Sequence, residues 1–199
     1  MELNRRSSAT REALLDAAIE EFIERGFAGM RMEHVAKRAG YNKALLYRHF
    51  KDKETLLREA LKRRFSQRAQ LLGHLPETLA GILAWWSDQT LADPNFMRMI
   101  LREALDTSGT EPAHSEFRRA YYRHQIELVK RLQAEGSIDP AFDPEMLFIA
   151  LLSVVTLTGA LPQIVQLATE LHPCDAKFER RWDAFLEMLA AHLSRGSCR

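Results

Sequence analysis

Cysteine is scarce: among 199 residues there are two, Cys174 and Cys198, and they form no C-x-x-C pair. That excludes a disulfide framework and fits a reducing compartment, so a cytoplasmic location is expected. Long hydrophobic runs are missing too. The longest, 147–161, has 15 residues and already includes Ser153, Thr156 and Thr158, short of the roughly 18 apolar residues of a membrane-spanning helix. The opening MELNRRSSATRE has no apolar stretch behind its charges, so neither a secretory signal nor a membrane partner is expected. Asn-Gly and Asp-Gly pairs are absent and no segment alternates apolar with polar residues for long, which removes the usual signs of hairpins and strands. No repeat with a period of 20 to 50 residues is visible, which argues against a solenoid.

Catalytic signatures are lacking as well. The chain has no G-x-G-x-x-G, no phosphate-binding Walker loop, no H-E-x-x-H and no G-x-S-x-G, so the readings as dinucleotide enzyme, nucleotide hydrolase, zinc protease and serine hydrolase have no support. His172 and Cys174 flank Pro173 as H-x-C, and two candidate ligands fall short of a metal site. Glu103 and Asp106 share a helical face, an arrangement that usually means solvated charge. No enzyme, no cofactor and no metal are expected.

What is present is an uneven charge. The totals nearly cancel, 28 Lys+Arg against 27 Asp+Glu. Residues 1–70 nevertheless hold 16 basic and 10 acidic residues, a net of +6, which leaves 12 and 17, a net of -5, for 71–199. The first third suits a polyanion and the remainder does not.

Helical periodicity runs through the chain. Between 11 and 25, Leu14, Leu15, Ala18, Ile19, Phe22 and Ile23 fall on one face, with Glu12, Asp16, Glu20 and Glu24 opposite; Gly26 ends the pattern and Ser8 or Thr10 is a candidate cap. Six of the seven prolines stand in loops or at helix starts, and only Pro162 interrupts an apolar helical pattern. The resulting helices are 11–25, 32–39, 43–49, 53–72, 77–92, 95–107, 115–135, 144–161, 163–171 and 175–194. The fold class is all-α.

The two shortest helices carry the most information. Only Gly40, Tyr41 and Asn42 separate 32–39 from 43–49, a spacing that demands a sharp helix-turn-helix. Gly40 supplies the left-handed residue that closes the first helix, and Asn42 is a strong N-cap for the second. Helices of seven or eight residues are unstable alone and must pack on helix 11–25. Val35, Ala36 and Ala39 on one, and Leu46 with Phe50 on the other, provide the apolar contacts.

The stretches Gly26-Phe27, Met32 to Ala36, Ala39 to Phe50 and Lys53-Glu54-Thr55-Leu56-Leu57 resemble the TetR family of bacterial transcriptional regulators, of which the run Leu-Tyr-x-His-Phe-x-x-Lys-Glu-x-Leu-Leu is characteristic. The likeness covers roughly residues 10–65. It implies a homodimer whose recognition helices enter successive major grooves of a palindromic operator, and a larger domain that binds an inducer. Two residues depart from the family pattern. Arg31 stands where Thr or Ser usually caps the next helix and donates to a phosphate, and Leu45 stands where Thr or Ser is common.

Helix 43–49 therefore offers Tyr41, Asn42, Lys43, Leu45 and Arg48 to the groove: Lys and Arg donate to guanine O6 and N7, Asn pairs with adenine, and Leu45 meets a thymine methyl. Arg31, Tyr47, Lys53 and the N–H groups opening helix 53–72 suit phosphates. Alternatively Tyr47 packs on helix 11–25, and Lys53 is a plain solvated lysine. His49 is read as structural and His34 as solvated or phosphate-facing.

Further along, helix 175–194 carries Phe178, Trp182, Phe185, Leu189 and Leu193 in one stripe, and helix 144–161 is apolar nearly all round. These two helices are assigned to a four-helix dimer interface, with the chain's own core as the alternative. Trp86, Phe96, Ile100, Phe117, Tyr121 and Phe148 are the candidate lining of a pocket for a largely apolar small-molecule effector. The domains are then 1–52, which binds DNA, and 53–199, which binds effector and dimerises, with helix 53–72 as the rigid connection between them. The resulting expectation is a ligand-responsive repressor that binds a double-stranded operator as a dimer. A protein-interaction module or a small-molecule carrier on the same all-α fold is the alternative.

Overall fold

The computed structural model describes residues 2–106 and 112–194. Cys198 and the expected helix end at 107 lie outside them. Among the described residues there are ten α-helices and no strand: α1 (Glu2–Gly29), α2 (Met32–Arg38), α3 (Lys43–His49), α4 (Lys53–Leu71), α5 (Leu79–Ala92), α6 (Pro94–Asp106), α7 (Ser115–Ala134), α8 (Pro144–Ala160), α9 (Pro162–Thr169) and α10 (Ala176–Leu193). Each expected helix is present within a few residues of its expected bounds, except that α1 starts nine residues early. Nothing between Glu2 and Arg25 is a glycine or proline, so the helix continues through Ser8 and Thr10 and neither caps it. Gly26, at φ 66° and ψ 177°, breaks the helical path. Only glycine enters that region readily.

The chain forms two compact units, Met1–Gln70 with Arg98–Ser115, and Leu71–Met97 with Glu116–Arg199. The expected cut after residue 52 differs from this division, because α4 is tied to α1 along its length. Arg63 pairs with Glu12 and with Asp16, whose Oδ1 it reaches at 2.6 Å, and Arg11 pairs with Glu59. Leu56, Leu57, Ala60, Leu61 and Phe65 of α4 are buried, as are Leu14, Leu15, Ala18, Ile19 and Phe22 of α1. Burying one such side chain contributes roughly 1.5–3 kcal/mol, against about 0–1 kcal/mol for an exposed ion pair, so the apolar faces hold this unit together. The second division falls inside α6, after Met97.

In the larger unit the core is built from α5 (Leu79, Ile82, Leu83, Trp86), α7 (Leu128, Val129, Leu132), α8 (Leu147, Phe148, Leu151, Val155) and α10 (Leu186, Ala190), with Ile138. Helices α5 and α8 approach closely at Gly159, where a Cβ would stand 2.5 Å from Thr90 Cγ2. Side chains cap α5 and α8: Thr78 Oγ1 accepts from Gly81 N–H at 3.2 Å, and Asp143 Oδ1 accepts from Glu145 and Met146 N–H at 2.9 Å. Pro162 opens α9 at its first turn, where its missing N–H is harmless. No single helix among the described residues is long and apolar enough to cross a membrane; α8 and α9 together have the length but bend by 83°.

Candidate nucleic-acid interface

The turn between α2 and α3 is closed by backbone alone. Gly40, at φ 79°, lets Tyr41 N–H reach back to the Ala36 carbonyl at 2.8 Å, and Gly40 N–H donates to Lys37 at 3.1 Å. This is the glycine-terminated helix end that the sequence called for. Asn42 then caps α3, its Oδ1 accepting from Leu45 N–H at 2.8 Å. Leu46 is the one residue of α3 that is fully buried, while Asn42, Lys43, Ala44, Tyr47 and Arg48 are exposed and Tyr41, Leu45 and His49 half-buried. A helix pinned by one side and open on the other is the geometry a major groove accepts.

Several side chains are engaged otherwise than expected. Asn42 uses one lone pair of its carbonyl oxygen on the cap, so a bidentate pairing with adenine, which needs Oδ1 and Nδ2 together, would share that oxygen with Leu45 N–H. Lys43 pairs with Glu33 of α2, and that hydrogen bond, followed by the carboxylate charge, raises its pKa while lowering that of Glu33. Lys53 is not a plain solvated lysine: its Nζ donates to the Phe27 carbonyl at 2.7 Å and lies 4.4 Å from the Phe27 ring centroid. One N–H opening α4 is likewise occupied, since Asp52 Oδ1 accepts from Thr55 N–H at 2.7 Å, which holds the Asp52 carboxyl below its ordinary pKa. Arg31 has no capping hydrogen bond, as its chemistry requires. Tyr47 is 47% exposed.

His34 belongs to a cluster that periodicity alone did not bring out. Glu21 is buried, and its carboxylate accepts from His34 Nδ1 at 3.0 Å and Arg38 Nη2 at 3.4 Å and forms an ion pair with Arg25 Nε at 3.1 Å. Arg38 also holds Glu24 at 2.6 Å and Glu20 at 3.3 Å. The Glu24 hydrogen bond is the main cause raising the Arg38 pKa. So α2 is fixed to α1 by charge as well as by Val35 and Ala36, and a buried carboxylate with several donors is costly to disturb. The signal was present: Glu21 falls seven residues after Leu14 and three after Ala18, inside their apolar stripe.

At the end of α1 a second set of contacts joins α6 to the same unit. Asp106 Oδ2 accepts from Phe27 N–H at 2.5 Å, Arg102 Nε lies 3.7 Å from Asp106 Oδ1, and the Arg102 guanidinium covers Gly26, where a Cβ would stand 2.3 Å from Nη2. With Arg11, Arg25, Arg38, Lys43 and Arg63 all paired to carboxylates, the exposed cations without an ion-pair partner among the described residues include Arg31, Lys37, Arg48 and Lys51. Lys37 and Lys51 had not been singled out in the sequence.

In the larger unit the expected interface stripe divides. Phe178 is buried, Trp182 Nε1 donates to Ser87 Oγ at 3.0 Å, and Trp182, Leu189 and Leu193 pack on the unit's own core. Of the five, only Phe185 is exposed. The stripe marks the inward face of α10; the neighbouring outward face carries Phe185 and Met188, and α8 exposes Met146, Ile149 and Leu157. Of the candidate pocket residues, Trp86 meets Phe148 edge to face at 5.9 Å, and Tyr121 contacts Tyr122, which in turn contacts Phe148. Phe96 is buried and Phe117 half-buried in this unit, whereas Ile100 belongs to the other. His172 Nδ1 accepts from Cys174 N–H at 3.2 Å within a turn. Among the described residues no group of three or more His, Cys, Asp or Glu could hold a metal.

A three-helix head with an exposed, capped second helix of a helix-turn-helix, joined to a larger helical unit, defines a helix-turn-helix regulator. The model of the bacterial regulatory proteins of the tetR family matches residues 14–60, and that of the tetracyclin repressor-like C-terminal domain matches 79–187. The chain belongs to the TetR family and is a DNA-binding transcriptional regulator. It is 27% identical over 157 residues to the HTH-type transcriptional repressor SCO4008 of Streptomyces coelicolor, covering 78% of this chain and 81% of that protein. Its fold is shared with the transcriptional regulator SCO4942 of the same organism, at TM-score 0.75 and 24% identity over 90% of this chain and 97% of that one. FadR of Bacillus subtilis, solved in complex with stearoyl-CoA, superposes at TM-score 0.63 and 16% identity over 93% and 98% of the two chains.

Proposed function

We propose that the protein is an effector-responsive repressor that binds a palindromic operator as a homodimer. The observation that carries this reading is α3, fixed on its Leu46 side and open along Lys43, Tyr47 and Arg48. Arg48 and Lys43, once Lys43 exchanges Glu33 for a base, read guanine; Leu45 and Tyr41 supply apolar contact; Asn42 acts through the cap. Arg31, Lys37 and Lys51 meet phosphates, each adding about 0.9 to the salt slope. Tyr47 adds a hydroxyl to that set, while Lys53 steadies the Phe27 turn from which α2 departs.

Dimerisation uses the outward faces of α8 and α10, through Met146, Ile149, Leu157, Phe185 and Met188. Five large exposed apolar side chains on two helices are the kind of patch that a second copy covers. The two α3 helices must then match half-sites about 34–36 Å apart. An effector in the larger unit acts through α6, which has residues in each compact unit and ends on Gly26 and Phe27, and through α4, whose last residue, Leu71, is the first of the larger unit. FadR with its bound acyl-CoA supports a ligand in this fold.

The test is a footprint of the protein on DNA flanking its own gene, repeated with Arg48→Ala and with Met188→Asp. A protected palindrome that Arg48→Ala weakens or shifts in sequence, and that Met188→Asp abolishes together with the dimer, is expected. Only salt-sensitive coating of all DNA alike would favour a protein-interaction module instead. A wild type that sediments as a monomer at micromolar concentration would refute the dimer.

A further inference from the structure

Trp86 is 5% exposed, and its indole Nε1–H has no acceptor within hydrogen-bond reach. A buried donor left unpaired costs about 1–3 kcal/mol, and such groups are rare enough in folded chains that each calls for a partner. The other two tryptophans differ from it: Trp182 donates to Ser87 Oγ at 3.0 Å, and Trp85 is only half-buried. Nothing in the backbone of α5 demands an indole at residue 86. A phenylalanine would fill the same apolar neighbourhood without an orphan donor.

The surroundings indicate what the partner is. The Trp86 ring meets Phe148 edge to face at 5.9 Å, Phe148 meets Tyr122 at 6.2 Å, and Tyr122 meets Tyr121 at 5.1 Å. On α7, Gln125 is 2% exposed, and its amide donates only a long bond of 3.5 Å to the Tyr121 carbonyl. Two neutral donors thus lie in an aromatic setting, one unpaired and one weakly paired. Arg118, seven residues before Gln125 on α7, is buried and takes part in an interaction of its own; the donor at the Trp86 ring is the neutral indole. A carboxylate brought there would lose its hydration to neutral donors alone, which is unfavourable, whereas a carbonyl oxygen gains a hydrogen bond at little desolvation cost.

We propose that Trp86 Nε1–H is the anchor of the effector site and that the effector is a flat, apolar, uncharged compound presenting a carbonyl oxygen to it. This rests on the effector-responsive reading above and names the chemistry of its ligand. The aromatic side chains stack on or edge the flat body, and the indole fixes its orientation.

The matched probes are 2-acetylnaphthalene and 2-ethylnaphthalene, nearly equal in shape, one with a carbonyl and one without. Binding is measured by calorimetry, and the Trp86 indole N–H is followed by 15N-resolved NMR, assigned with Trp86→Phe. The ketone should bind about tenfold more tightly, the usual worth of one hydrogen bond, and move the Trp86 indole proton downfield. Trp86→Phe should bind both probes with one affinity. Equal wild-type affinities, an unmoved indole proton, or no binding of either probe up to its solubility would each overturn the assignment, without depending on the variant's folding. Operator affinity measured with the ketone separates the two levels. If the ketone engages Trp86 and leaves operator binding unchanged, the site stands and effector control fails. If another compound releases the operator while the Trp86 indole stays silent, control stands and the site is wrong.

Discussion

Replacing Gly26 with alanine tests the joint at which α1, α6 and the recognition pair meet. The residue sits at φ 66° and ψ 177°, a region that side chains other than glycine enter at a cost of order 1–3 kcal/mol. The new methyl would also stand 2.3 Å from Arg102 Nη2 and 2.6 Å from Nε. The guanidinium must swing away, which a long side chain does cheaply, so backbone strain dominates the loss. For a chain of this size each kcal/mol lowers Tm by about 2–4 °C, so a fall of about 2–12 °C is expected. Thermal unfolding followed by circular dichroism measures it. Gly40→Ala is the comparison, since φ is 79° there but nothing lies within 4 Å of the added Cβ. It should cost only the left-handed backbone, about 1–2 kcal/mol. In an Arg102→Ala background the Gly26→Ala loss should shrink by the steric part alone, a coupling that a double-mutant cycle reads directly. Operator affinity should fall with Gly26→Ala as well, because the Met30 N–H to Gly26 carbonyl bond at 3.0 Å sets the path into α2. A variant as stable as the wild type, within about 1 °C, would refute the reasoning about this glycine.

Three further outcomes follow from other parts of the molecule. Gly159→Ala forces a Cβ to 2.5 Å from Thr90 Cγ2 and 3.1 Å from its carbonyl oxygen, so α5 and α8 must separate and stability should drop by about 1–3 kcal/mol in denaturant unfolding; an unchanged midpoint would contradict it. Glu33→Gln removes the partner that raises the Lys43 pKa, and should tighten operator binding and lower the pKa of the Lys43 ammonium in an NMR titration; unaltered values for both would show that the pair plays no part. Asp88 has its pKa raised by burial and then by the charge of Asp183. A raised carboxyl contributes stability below its ordinary pKa and loses it as pH climbs through the raised value, so Asp183→Asn should lessen the decline in Tm between acid and neutral pH, and an identical profile would exclude the coupling.

The sequence by itself settled what depends on local pattern. The i, i+3, i+4 spacing of Leu14, Leu15, Ala18, Ile19 and Phe22 specifies α1, because apolar side chains at that period can be buried only by a helix. Gly40 and Asn42 specify the tight turn, because one residue must enter left-handed space and the next helix needs a side-chain acceptor at its start. Those same residues also carried the family resemblance.

Tertiary structure decided which partner each polar group takes. Nothing in the spacing of Lys43, Lys53 or His34 shows that they face Glu33, the Phe27 carbonyl and Glu21, residues 10, 26 and 13 positions away. Nor does the stripe on α10 say which of its sides meets its own core. Phe178 and Trp182 lie inward and Phe185 outward, although all five stripe residues follow one helical period, because Phe185 stands at the edge of that stripe and only packing against the rest of the unit decides how far round the helix the covered arc reaches.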